Sequence, residues 1–168
     1  EEQAELRGPL REPGEHLGGL SSGGLGATDI GNKQVIGGLS RQFYRDLYTY
    51  YEQPDVWKQE KRESYVANQK FNEDKSMWKF EPHVAELIFD RYVAENKIPL
   101  LRQARLDLKN GVKKEGNRIT SIALEGGRTV KGRMFIDATY EGDVMAKAGV
   151  EYHVGREAQS VYNEKWNG

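Results

Sequence analysis

The chain has 168 residues, 25 Lys+Arg against 26 Asp+Glu, no cysteine and 37% hydrophobic residues. A net charge of −1 without a basic stripe argues against nucleic acid or another polyanion as partner. The missing thiols exclude disulfides, thiolate catalysis and Cys-based metal sites, and no apolar run reaches the ~18 residues of a membrane span.

So low a hydrophobic content suits a part of a larger fold better than a self-sufficient globule, while 10% aromatics argues against disorder. Residues 1–16 read as an irregular or extended tail, with Pro9 and Pro13 interrupting a polar, acidic sequence unlike a signal peptide. Glu12 stands before a turn at Gly14, and taken alone is a solvated carboxylate.

Eight of the 22 residues from Leu17 to Gly38 are glycine, punctuated by Leu17, Leu20, Leu25, Ile30, Val35 and Ile36. A flexible linker would lack these apolar anchors. The pattern reads as a ligand-facing loop whose backbone lies close to something, because glycine permits positive φ and carries no Cβ. A mobile surface loop is the alternative.

Ser40 is a candidate N-cap for a helix from Leu39 to about Glu52, whose Leu39, Phe43, Leu47 and Tyr51 recur on one face. Tyr44, Tyr48, Tyr50 and Tyr51 read as core or interface packing rather than an aromatic box. Gln53-Pro54 stops the helix, and residues 53–77 read as a charged surface excursion carrying Trp57, Tyr65 and Phe71. A second helix opens at Pro82, with Val84, Leu87, Ile88, Arg91 and Tyr92 on one stripe and Asn96 at its end. His83 and Glu86 lie three apart on it and make no metal site without further ligands.

The period then changes to two. Ile98–Leu101 reads as a short strand and Ala104–Val112 as another. RITSIALEGG and RTVKG, bounded by Gly116-Asn117 and Gly126-Gly127, complete a β-meander. Met134–Ala138 is an apolar run of the buried-strand type. Thr139-Tyr140-Glu141-Gly142 leads from it into a short helix, Val144–Ala148, with Asp143 as N-cap and Gly149 at C′. A strand, a polar turn and a helix N-terminus in succession suit an anionic group. Glu151–Arg156 resumes an extended pattern.

Three stretches in this order, EPGEHLGGLSSGGLGATD, WKFEPHVAELIF and FIDATYEGDVMAKAGVEYHVGREA, together resemble the FAD-dependent oxidoreductase family of the glutathione-reductase-like flavoproteins. The nearest likeness is to a bacterial, xanthan-lyase-like branch, over residues 12–168. The resemblance implies an α/β fold: a partial FAD/NAD(P)-binding Rossmann-like domain with an inserted β-meander and two main helices. It divides the chain into an irregular tail (1–16), the partial FAD-binding domain (17–150) and the start of a truncated following segment (151–168).

The implied cofactor is FAD. Glu12 falls where the family places the acid that meets the adenosine ribose. Gly18, Gly19, Ser21, Ser22, Gly23 and Gly24 match the loop that runs along FAD. Leu106 is matched to a residue meeting adenine through its backbone, and Ala138, Thr139, Gly142 and Asp143 to the family's second turn.

Two departures stand out: no GxGxxG occurs, and Tyr140 replaces the usual glycine of the turn. The chain is therefore expected to be an internal piece lacking the N-terminal GxGxxG strand and inactive alone. Its compartment, cytoplasmic or exported, and its oligomeric state stay open.

The implied activity is hydride or electron transfer from a small organic substrate, sugar-related in the named branch. Ser21, Ser22, Thr28, Asp29, Asn32 and Lys33 are candidate polar groups near the flavin. Lys33 reads first as a solvated loop residue, and His16 and His153 read as structural before acid/base groups. The rival classes are a non-catalytic carbohydrate- or protein-binding module and a polysaccharide lyase, whose base and carboxylate neutraliser cannot be assembled from these residues.

Overall fold

The computed structural model describes residues 10–28, 31–67 and 74–166. Asp29, Phe71 and residues 1–9 lie outside the described residues. The chain divides into two compact units, Glu1–Gln103 and Ala104–Gly168. That boundary falls inside the 17–150 segment read from the sequence.

In the first unit, β1 (Leu10–Arg11) runs parallel to β2 (Leu100–Leu101). Leu10 N donates to Pro99 O and Glu12 N to Leu101 O, each at 2.9 Å. The tail is thus a strand where it meets Glu12. Two residues are too few to show a period, and their partner lies far downstream.

The core of this unit is the contact between α2 (Gly38–Tyr51) and α4 (Pro82–Glu95). Phe43, Leu47 and Tyr51 of α2 are buried with Met77, Phe80, Val84, Ala85 and Ile88. Burying each large apolar side chain contributes about 1.5–3 kcal/mol. The expected stripe holds except at Leu39, which lies in the first turn and is 83% exposed. The cap of α2 is Gly37, with extended backbone, not Ser40, which sits inside the first turn.

Most described aromatic residues of this unit are spent on this core. Phe43 stacks on Phe89 at 4.7 Å between centroids, and Tyr44 lies 4.1 Å from Trp78. Tyr51 Oη donates to the Glu81 carboxylate and accepts from Glu81 N, both at 2.9 Å, joining the end of α2 to the start of α4. As expected, Pro82 opens α4, and Asn96 ends it, donating to Tyr92 O at 2.8 Å. Two short helices, α1 (Leu20–Gly23) and α3 (Arg62–Ala67), complete the unit.

The second unit is built on an antiparallel meander of β3 (Val112–Glu115), β4 (Arg118–Ala123) and β5 (Thr129–Lys131). Its turns fall at Gly116 and at Gly126-Gly127, all with positive φ. Ser121, Ile122 and Leu124 are buried beside it. Two short helices follow, α5 (Asp143–Lys147) and α6 (Gln159–Tyr162). Lys114 Nζ donates to Ala148 O at 2.6 Å, tying the end of α5 to β3.

Two expected strands differ. Of Ala104–Val112, Leu106 forms an isolated bridge to Leu124, and only Val112 enters a strand, as the first residue of β3. Asp107 then turns the chain by accepting from Lys109 N at 2.8 Å and Asn110 N at 3.2 Å. Met134–Ala138 makes no ladder among the described residues, and Met134 and Ile136 are 75% and 91% exposed. An apolar run of that type becomes a strand only between neighbours that cover it, and none pairs with it here. Glu151–Arg156 likewise forms no strand.

Candidate functional site

The glycine stretch leaves β1 through Glu12. The Glu12 carboxylate accepts from Gly14 N at 2.8 Å through one oxygen, which sets the turn. Its second oxygen makes no hydrogen bond to a described residue. The chain next crosses α4 and its C-terminal extension, where every contact is long in sequence. His16 Nδ1 meets the Glu86 carboxylate at 2.9 and 3.0 Å. Arg102 reaches Glu15 O and binds Asp90 at 2.6 Å. Gln103 adds a backbone bond to Gly14 O at 2.9 Å and a side-chain bond to Glu15 at 2.7 Å. Glu86, read from the sequence beside His83, is therefore a partner of His16.

Leu17 is buried, and the chain passes α4 at Gly18, whose φ is +106°. A Cβ on Gly18 would lie 2.5 Å from the Phe89 ring, so this glycine is required by packing as well as by its backbone. Ser22 Oγ donates inward to Leu17 O, closing the loop over α1. Gly19 is the cap of α1, with φ +54°.

Gly23 and Gly24 differ from Gly18: a Cβ on either would meet nothing within 4 Å. Gly24 needs its φ of +134°, but Gly23 lies in α1 with no positive φ and no neighbour to avoid. Glycine costs a helix about 0.5–1 kcal/mol relative to alanine. At Gly23, as at Gly31 and Gly37, neither packing nor φ requires a glycine. Ser21 is half-buried.

Beyond Gly24 several residues have structural roles, although Gly31 and Gly37 meet no neighbour within 4 Å and have no positive φ. Gly26 packs so closely on residue 80 that a Cβ would fall 2.0 Å from Phe80 O. Thr28 Oγ1 donates to Tyr44 Oη at 3.3 Å, and Asn32 Oδ1 caps the turn at Gln34 N at 3.1 Å. Lys33 Nζ lies 5.1 Å from the centre of the Trp78 ring. His153 is exposed. An open cavity of about 560 Å³ lies against Trp57, Lys58, Glu60, Lys61 and Arg62. Its lining is of mixed charge and includes no residue of the glycine stretch. Among the described residues no group of three or more His, Asp or Glu is arranged to hold a metal ion.

In the second unit Leu106 has a particular geometry. Asp107 N donates to Ala123 O at 3.0 Å and Glu125 N to Arg105 O at 2.9 Å. The N–H and C=O of Leu106 itself face away from that pairing and make no backbone bond among the described residues.

The 137–145 turn is held by a residue the sequence reading passed over. Asp137 Oδ1 accepts from Thr139 N at 3.1 Å and Thr139 Oγ1 at 2.7 Å. Its Oδ2 accepts from Val144 N at 3.0 Å and Met145 N at 3.2 Å, in the first turn of α5. Thr139 Oγ1 in turn accepts from Gly142 N at 3.0 Å. Burial pushes the Asp137 pKa up, but the bonds from Thr139, Met145 and Val144 outweigh it and hold it below the ordinary carboxylate value. The cap position of α5 is Gly142, with φ +67°, and Asp143 is the first helical residue, not the cap. The carboxylate of Asp143 makes no hydrogen bond to a described residue. The signal for Asp137 was present as an acid two residues before Thr139 and shortly ahead of a helix start.

Each unit, taken by itself, carries groups that could meet part of a dinucleotide. Glu12 offers an unused carboxylate oxygen for ribose hydroxyls, directly after a parallel strand. Gly23 and Gly24 offer open backbone. Leu106 offers an adjacent donor and acceptor, the set that an adenine edge requires, and Asp143 offers a free acceptor for a hydroxyl. A family model described as FAD dependent oxidoreductase matches residues 5–167. No curated protein and no solved structure matches the chain. The family match covers nearly the whole chain, which therefore belongs to the FAD dependent oxidoreductase family, with FAD as its cofactor.

Proposed function

We propose that Glu12, Gly18, Gly19, Ser21, Ser22, Gly23 and Gly24 of the first unit are FAD-binding residues, and, as a separate assignment within the second unit, Leu106, Ala138, Thr139, Gly142 and Asp143. The reading rests most heavily on Gly23, a helical glycine for which neither packing nor φ gives a reason. Within this set the residues divide their work. Gly18 and Ser22 fix the loop against α4 and its own backbone, so that Gly23 and Gly24 present peptide groups rather than side chains. Glu12 and Asp143 serve as acceptors for cofactor hydroxyls.

FAD, when bound, supplies the redox centre for hydride or electron transfer. The substrate is a small, sugar-related organic molecule; this part of the proposal follows the resemblance of the quoted motifs to the xanthan-lyase-like branch. Phe43, Tyr51 and Phe80 are packed in the α2–α4 core, whereas Tyr140, Tyr152, Tyr162 and Trp166 of the second unit are exposed; the family match, not aromatic burial, favours the flavoprotein reading over a carbohydrate-binding module.

The test is to express the complete reading frame that contains these residues and record its visible spectrum. A yellow protein with flavin absorbance, bleached anaerobically by sugars or polyols, is the expected result. A colourless protein that leaves the spectrum of added FAD unchanged would overturn the proposal. A yellow protein that no sugar or polyol bleaches would overturn the substrate class alone.

A further inference from the structure

We infer that Asp137 is a positioning residue: it occupies the N-terminus of α5 with the chain's own carboxylate and so sets the Thr139–Asp143 turn before any cofactor arrives. Three observations carry this. The two Asp137 oxygens are divided between the two ends of the turn, Oδ1 serving Thr139 and Oδ2 serving Val144 and Met145. Thr139 Oγ1 relays the restraint by donating to Asp137 and accepting from Gly142 N. Gly142, at φ +67°, is the pivot between these two restrained segments.

The consequence reverses an expectation. A strand, a turn and a short helix suggest a seat for an anionic ligand group at the helix start. Here Val144 N and Met145 N already have an anion, and Ala146 N donates to Gly142 O at 3.0 Å. A cofactor phosphate would have to displace Asp137 and break its bonds. The turn instead holds Asp143 at the first helical position with its carboxylate unspent. What it offers an incoming ligand is a hydroxyl acceptor, already in place, and pre-set geometry of this kind lowers the ordering cost of binding. The placement of FAD at this turn belongs to the reading above; the role of Asp137 in the turn does not depend on it.

Amide hydrogen exchange of the chain without FAD tests the inference. In the unsubstituted protein Gly142, Val144 and Met145 should exchange slowly relative to the amides of residues 151–155. Asp137→Ala should speed all three about tenfold, the usual cost of losing a helix cap. Thr139→Val should speed Gly142 most. Asp137→Asn keeps one acceptor oxygen and should protect only one end of the turn. Formate, added to Asp137→Ala, should restore protection at Val144 and Met145 by refilling the vacated seat, and should not change the unsubstituted protein. Unchanged exchange in both Asp137→Asn and Asp137→Ala would overturn the inference, and the meander amides of β4 report whether either variant has unfolded. If Asp137→Ala does unfold, failure of Asp137→Asn to alter either end of the turn overturns it alone.

A separate FAD titration of the complete reading frame distinguishes the two ideas. Faster exchange in Asp137→Ala with unchanged FAD affinity leaves Asp137 as the positioning residue and removes this turn from the FAD site.

Discussion

The two units hold their candidate residues by opposite means. In the first, the loop after Glu12 is fixed by partners far away in sequence: Phe89 against Gly18, Glu86 against His16, Arg102 and Gln103 against Glu15. In the second, the turn before α5 is fixed within nine residues by one carboxylate, from Asp137 to Met145. The first arrangement has no meaning until α4 is folded. The second is a local motif. A loop that depends on tertiary packing fails when the core fails, and a capped turn fails when one group is removed or protonated.

That contrast can be broken most forcefully at the core. Leu47→Ala leaves a cavity between α2 and α4, where Leu47 is fully buried. It should cost about 2–5 kcal/mol in chemical denaturation and free the Gly14–Gly24 amides to exchange, with the turn at Asp137 untouched.

Gly18→Ala comes next. The new methyl meets Phe89 at a φ of +106°, so the cost should exceed about 1 kcal/mol. Truncating the ring as well should recover part of it, leaving the backbone strain. Phe89→Ala in the Gly18→Ala background, compared with each single variant, measures that coupling.

Asp137 gives a smaller effect and a pH signature. Its pKa is lowered in the folded chain, so the stability it contributes is present above the unfolded Asp pKa. That stability is lost as pH falls through the lower folded value. Asp137→Asn should cost about 1 kcal/mol near neutral pH. The gap from the unsubstituted protein should narrow in urea titrations carried out below the ordinary carboxylate pKa.

Gly23→Ala should have the smallest effect on stability and the opposite sign. The site is helical and open, so alanine should stabilise by up to about 0.5–1 kcal/mol. A raised denaturation midpoint would separate this glycine from Gly18 and Gly26.

Much of this architecture was legible in the sequence, for reasons particular to each element. The start at Pro82 follows from proline's fit to a first turn, and the buried Val84 and Ile88 from the 3.6-residue period, but Leu87 and Arg91 of the expected stripe are exposed, and Ala85 is buried in their stead. The meander follows from alternation between glycine turns. Gly18 was legible as a glycine with a purpose, but not as one packed on Phe89, because that contact spans two elements. The strand at Leu10 is too short to carry a pattern. Met134–Ala138 reads as a buried strand because its composition is that of one, yet composition does not supply the neighbours that make a ladder. Asp143 looked like the cap of α5 because it stands beside the helix. The working cap comes from Asp137, which reaches forward across the turn.

The central claim is that Gly23 and Gly24 are bare so that FAD can lie against their backbone. FAD affinity of Gly23→Ala, measured by flavin fluorescence in the complete reading frame alongside its denaturation midpoint, tests it most directly. The account predicts a dissociation constant raised about tenfold or more, equivalent to about 1.4 kcal/mol, in a protein at least as stable as the original. Unchanged affinity in an equally stable variant would contradict it.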